Sequence, residues 1–121
     1  MVRTNIEYNG VTRYFNWMDV RFQKKYIAAA EAFGKDIDKI NIDNLDDAGE
    51  VAALEAQARA AEKFIDKSFG EGTFEKLFGD RQPMDEIYDF IKCCIELKIE
   101  QIKAFDEQSK SINALAAEML N

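Results

Sequence analysis

The sequence predicts a mainly α protein with a short N-terminal β-hairpin (an α+β arrangement), a small helical domain closed by a long C-terminal helix. Three observations predict it. Asn9-Gly10 lies between two short runs of alternating apolar and polar residues, the strongest short-range hairpin signal. Apolar residues then recur at steps of three and four through much of residues 16–121, the period of a helix face. Finally, no proline or glycine interrupts residues 84–121. A chain of 121 residues makes one domain, 1–121, with the hairpin in 1–15 and a helical body in 16–121.

The hairpin comes first. A type I′ turn wants positive φ at both central positions, which Asn and Gly supply. Tyr8 then faces Val11, and Ile6 faces Arg13. One face carries Ile6, Tyr8, Val11 and Phe15, the other Asn5, Glu7, Thr12 and Tyr14. Two strands alone are marginal in water, so the hairpin must pack on helices or pair with another chain.

Asn16 is placed to cap a helix over Trp17–Phe33, with Asp19 imitating a capping box. Phe22, Tyr26, Ile27, Ala30 and Phe33 mark its apolar side. Gly34 can end it, or the helix can continue, since Ile37 and Ile40 keep the period. Residues 35–50 hold six acidic side chains, Asp36, Asp38, Asp43, Asp46, Asp47 and Glu50, against two lysines. Their spacing does not match a calcium loop, and a solvated connection is expected.

The second helix carries Val51, Leu54, Ala58, Ala61 and Ile65 at steps of 3, 4, 3 and 4. Alanines 52, 53, 56 and 60 let another helix approach closely, in the same chain or in a second copy. In residues 69–81, Gly70 and Gly72 supply flexible backbone, Thr73 is placed to cap a short helix, and Gly79 suits its end. The Gly-x-Gly fragment lacks the later glycine of a dinucleotide fingerprint and the Gly-Lys-Ser/Thr of a P-loop. Phe69, Phe74, Leu77 and Phe78 are expected to form an aromatic plug.

Pro83 suits the first turn of the last helix, with Asp85 and Glu86 near its positive end. Ile87, Ile91, Ile95, Ile99 and Ile102 form a stripe joined by Tyr88, Cys94 and Phe105, and the period resumes through Ile112, Leu115 and Met119. One helix over 84–121 would be about 57 Å long, against a radius of gyration near ~14 Å for a compact domain. It must overhang the domain or bend near Asp106–Ser111.

Composition narrows the function. Lys and Arg number 16 and Asp and Glu 23, a net charge of −7 and a pI near 4.6. Phosphate-backbone binding needs clustered positive charge, so no nucleic-acid partner is expected. The first 30 residues carry +3 and the rest −10. There is no histidine, which removes the commonest general base and metal ligand and every His-dependent triad. The two cysteines are adjacent, Cys93-Cys94, and fit neither a disulfide framework nor a zinc site; reduced thiols in a cytoplasmic setting are expected. The carboxylate pairs Asp43/Asp47, Asp85/Asp89 and Glu96/Glu100 read as solvated helix faces. No signal peptide, membrane span or basic membrane-surface helix is visible. No catalytic residue, cofactor or metal is predicted. What remains is protein–protein interaction.

The run Phe64-Ile65-Asp66-Lys67-Ser68-Phe69-Gly70-Glu71-Gly72-Thr73-Phe74-Glu75-Lys76-Leu77-Phe78-Gly79-Asp80-Arg81 resembles the "Ile-Asp … Phe-Gly-Glu-Gly-Thr … Lys-Leu-Phe-Gly" signature in tail assembly chaperones of long-tailed bacteriophages, in versions from phages of Gram-positive hosts. The layout, a strand pair containing Asn-Gly followed by a helical body, is similar over most of the chain. The resemblance implies a non-enzymatic protein of the host cytoplasm, left out of the mature virion. Such a protein binds the tape measure protein, keeps it soluble, and helps recruit tail tube subunits, directly or through a longer frameshifted form. It also implies self-association. Candidate protein-binding residues are Ile6, Tyr8, Val11 and Phe15 on the hairpin, Phe69, Phe74, Leu77 and Phe78 in the plug, and Ile91, Ile95, Ile99 and Ile102 on the last helix. Between subunits, the basic hairpin is expected to dock on a neighbour's acidic helices or to add a strand. Two rivals are a virion structural component, such as a connector or tail completion protein, and a small acidic regulatory module.

Overall fold

Asn9 and Gly10 both adopt positive φ, 48° and 76°, which places the type I′ turn where the sequence puts it. The computed structural model describes residues 2–120. Strands β1 (Asn5–Tyr8) and β2 (Val11–Tyr14) pair antiparallel, with Tyr8 opposite Val11 and Ile6 opposite Arg13. Helices α1 (Val20–Asp38), α2 (Asp47–Phe69), α3 (Thr73–Phe78) and α4 (Met84–Met119) follow.

Helix α1 starts three residues later than expected, capped by Asp19 instead of Asn16. Asp19 Oδ1 accepts the N–H groups of Arg21 and Phe22 at 3.0 and 3.4 Å. Asn16 Oδ1 is occupied by the N–H of Met18 at 2.9 Å, a local Asx turn that competes with helix. Gly34 does not end α1, which runs through it to Asp38. Ile27 lies largely outside the core, and Ala29 takes the buried place beside Phe22 and Tyr26.

Helix α2 begins at an Asp46 cap that accepts from Gly49 N–H at 2.8 Å. Its main partner is α1: Tyr26 and Phe33 both pack on Phe64, with ring centroids 5.4 and 5.5 Å apart. Of its predicted seam, Ala58, Ala61 and Ile65 are buried, whereas Val51 and Leu54 are about half exposed.

Thr73 does not cap α3. Its hydroxyl donates to Gly70 O at 2.7 Å and accepts from Arg13 Nε at 3.1 Å. The N–H of Phe74 is instead taken by Asp66 Oδ1, reaching across from α2 at 2.9 Å. Gly72 and Gly79 flank α3 at φ 85° and 68°, a region open to glycine.

The core is one hydrophobic cluster of the hairpin and all four helices. Phe15, wholly buried, sits at its centre against Phe22 (4.9 Å) and Tyr26 (5.3 Å). Such aromatic pairs add to the area they remove from water.

Candidate protein-binding surface

Helix α4 positions the surface, and its packing begins with a seam at steps of 3, 4, 3 and 4: Ile87, Phe90, Cys94, Leu97 and Gln101, all buried. The hairpin lies on this helix. Tyr8 donates its hydroxyl to Asp89 at 2.9 Å, and Asn9 Nδ2 donates to Leu77 O at 3.0 Å and to Glu86 at 3.3 Å. Partial burial and the Asp89 hydrogen bond push the Tyr8 phenol up to about 12. Arg3 approaches Glu100 at 3.9 Å on the surface, a contact of little energetic weight. Of the hairpin's candidate binding residues, Ile6 and Phe15 are buried in their own subunit.

The isoleucine stripe does not coincide with the buried seam. A step of four residues turns 400° around an α-helix, so a run of such steps drifts by about 40° each time. Ile87 is fully buried, Ile91 is half-buried, and Ile95 and Ile99 are 49% and 47% exposed. With Tyr88 at 53% and the half-buried Met84 and Ile102, they form an apolar strip on the outer side of α4 that is open to solvent at Tyr88, Ile95 and Ile99. Tyr88 also reaches α2, donating its hydroxyl to Gln57 at 3.2 Å.

Beyond Gln101 the helix continues without a break and overhangs the domain. Phe105, Ile112, Leu115 and Met119 are 42%, 62%, 58% and 86% exposed. At about 100° per residue they fall on the same side of α4 as the buried seam. Asp106, Glu107, Lys110 and Glu118 fall on the other side.

The structure therefore sorts the sequence candidates. Ile6, Phe15, Phe74, Leu77 and Phe78 are buried in the subunit core, with Tyr8, Val11, Phe69, Ile91 and Ile102 partly covered; Ile95 and Ile99 are open to solvent. Sequence reading missed Gln101. Its polar side chain hides its place in the seam, although it lies four residues after Leu97 and seven after Cys94. It also missed the pairing of Arg13 with Thr73, and Asp66 as the cap of α3.

The chemistry available is slight. The Cys94 thiol is pushed well up by burial and the neighbouring Cys93, and burial with nearby Asp89 and Glu96 pushes Cys93 up; both are poor nucleophiles in that state. Ser68 Oγ is buried with no hydrogen-bond partner. Among the described residues no group of three or more carboxylates and thiols is placed to hold a metal ion, and no helix is long and apolar enough to cross a membrane.

A protein family described as a family of unknown function, DUF6673, matches residues 9–118. No curated protein and no solved structure matches the chain.

Proposed function

The chain belongs to the DUF6673 family, and we propose that it is a non-enzymatic tail assembly chaperone of a long-tailed bacteriophage. It binds the tape measure protein, keeps it soluble, and helps recruit tail tube subunits. One observation carries the binding role: the strip of Tyr88, Ile95 and Ile99 on the outer side of α4, open to solvent on a rigid helix that is anchored along its other side. A helical client can lay its own apolar face along such a strip. The charge of −7 keeps chaperone and client complexes apart from one another. The residues of 64–81 that carry the resemblance support the role indirectly, since Phe64, Ile65, Phe74, Leu77 and Phe78 build the core on which α4 rests.

Each strip is short, so single contacts are weak and tube subunits can displace them. Avidity comes from many copies along one long client. The protein acts as a homo-oligomer in the host cytoplasm and is left out of the finished virion.

Co-expression with the tape measure protein of the same phage tests this. The natural chain is expected to move the client from the insoluble to the soluble fraction. An Ile95→Asp, Ile99→Asp double variant, at two half-exposed positions outside the core cluster, is expected to lose that effect while keeping its helical circular dichroism signal. No change in client solubility with the natural chain overturns the proposal. So does a stoichiometric amount of the chain in purified virions, which a structural component would give.

A further inference from the structure

The overhanging part of α4 has a surface of its own, distinct from the outer strip. Ile87, Phe90, Cys94, Leu97, Gln101, Phe105, Gln108, Ile112, Leu115 and Met119 cover thirty-two residues in nine steps, a mean of about 3.6, the period of a straight helix. They occupy one side. The domain covers that side as far as Gln101 and leaves it bare from Phe105 to Met119. We propose that two copies of this chain pair antiparallel through residues 104–119 of α4, with Ile112 of each copy at the two-fold axis.

Three observations select a second copy. The bare side carries no charged residue between Ala104 and Met119, so the pairing buries no charge, and Asp106 and Glu107 of one copy come level with Glu118 of the other only on the solvated flanks. Lys103 and Lys110 also nearly balance Asp106, Glu107 and Glu118, which makes the overhang far less acidic than the whole chain. The second observation is area. Phe105, Ile112, Leu115 and Met119 are each exposed by 42% or more, and covering them fully in both copies removes on the order of 1,000 Å² from water, the lower bound for a specific interface and the size of a reversible one.

The third is shape, and it sets the direction. Each domain sits on the same side of α4 as the bare face, so a parallel pair would drive the two domains into each other. An antiparallel pair puts them at opposite ends. The span from Phe105 to Met119 is about 21 Å, and pairing about Ile112 brings Met119 of one copy level with Phe105 of the other. There it meets a groove of about 660 Å³ at the root of the overhang, where Val2, Met18 and Ala104 lie beside Gln108 and the charged Arg3 and Glu107 at its edge. The pairing deepens only the self-association in the proposed function and does not depend on the client.

Sedimentation velocity of the full chain over a concentration series reads the pairing directly. A monomer–dimer equilibrium is expected, and Ile112→Lys is expected to raise its dissociation constant at least about tenfold with an unchanged helical circular dichroism signal. Under mild oxidation Ile112→Cys is expected to form a covalent dimer, whereas Phe105→Cys is not, because its two copies stand at opposite ends. The natural chain, with Cys93 and Cys94, is the control. A chain that stays monomeric at the highest concentration overturns the proposal, as does a dimer indifferent to Ile112→Lys. Equal cross-linking by Phe105→Cys and Ile112→Cys overturns the antiparallel arrangement. Loss of client binding with the dimer intact bears on the chaperone role alone.

Discussion

Gln101 Oε1 accepts the backbone N–H of Trp17 at 2.7 Å, joining α4 to the segment that leads from the hairpin into α1. The same amide's Nε2 donates to Phe15 O at 2.8 Å and to Arg3 O at 2.6 Å. One buried side chain thus ties both ends of the hairpin to the long helix, with both amide hydrogens used and one acceptor bond made. Lys98 reinforces the junction, its Nζ lying 4.3 Å from the Trp17 ring centroid. Without this junction the hairpin would be hydrogen-bonded to α4 only at its turn, through Tyr8 and Asn9, and α4 would lose its anchor just before the overhang.

Gln101→Leu keeps the volume but leaves one N–H and two carbonyls without this partner. It is expected to cost about 3 kcal/mol of unfolding free energy, given ~1–3 kcal/mol for each buried group left unmatched. Gln101→Glu is expected to be at least as harmful at neutral pH, because a carboxylate then faces two carbonyl oxygens. Its loss should ease on acidification, since the protonated carboxyl can again donate to one of them. Urea midpoints at two pH values check both. A Gln101→Leu protein as stable as the natural chain would refute the clamp.

The hairpin register, the order of the helices and the length of the last one were legible in the sequence because each rests on local chemistry: Asn-Gly, apolar period, and a run free of proline and glycine; whether that last helix overhangs or bends was not. What was not legible depended on which neighbour arrived. Asn16 and Asp19 are both good caps, and only the competing Asx turn at Met18 decides between them. Ile87 to Ile99 reads as one stripe in one dimension, yet its 40° drift carries it from the core to solvent. Gln101 could not be placed because its three partners, Arg3, Phe15 and Trp17, are more than eighty positions away.

Core and surface apolar residues should separate cleanly on truncation. Phe15 is wholly buried among aromatic rings, and Phe15→Ala is expected to cost about 3–5 kcal/mol through lost burial and the cavity left behind. Leu115, 58% exposed on the overhang, is expected to change unfolding by less than about 0.5 kcal/mol when replaced by alanine under monomeric conditions. Thermal melts of dilute protein measure the contrast. A large loss for Leu115→Ala would mean that the overhang packs on its own domain.

Gly34 offers a test of the uninterrupted α1. It lies inside the helix and does not share the positive φ of Gly10, Gly70, Gly72 and Gly79. A Cβ added there meets no atom within 4 Å. Gly34→Ala is therefore expected to stabilise the protein by roughly 0.5–1 kcal/mol, by reducing the freedom of the unfolded chain and favouring helix. A destabilised variant would mean that the helix breaks at this point. Denaturant titration of the two proteins side by side decides it.

The start of α1 predicts a dependence on acid. The hydrogen bond from Tyr14 OH, at 2.8 Å, is the first cause holding the Asp19 carboxyl below the usual range, helped by the N–H groups of Phe22 and Arg21. A carboxyl lowered in the folded state contributes stability that is fully present above its unfolded value and is lost as pH falls through the folded one. Tyr14→Phe removes the largest contributor. It is expected to raise the Asp19 titration midpoint towards the ordinary carboxylate value and to reduce the cap's contribution near neutrality, so that its acid loss begins from a smaller gain. Carboxyl carbon shifts of Asp19 against pH report the midpoint, and thermal melts at neutral and acid pH report the consequence. If the midpoint is the same in both proteins, the Tyr14 hydroxyl does not support the cap, and Asp19 holds the start of α1 through the N–H groups of Arg21 and Phe22 alone.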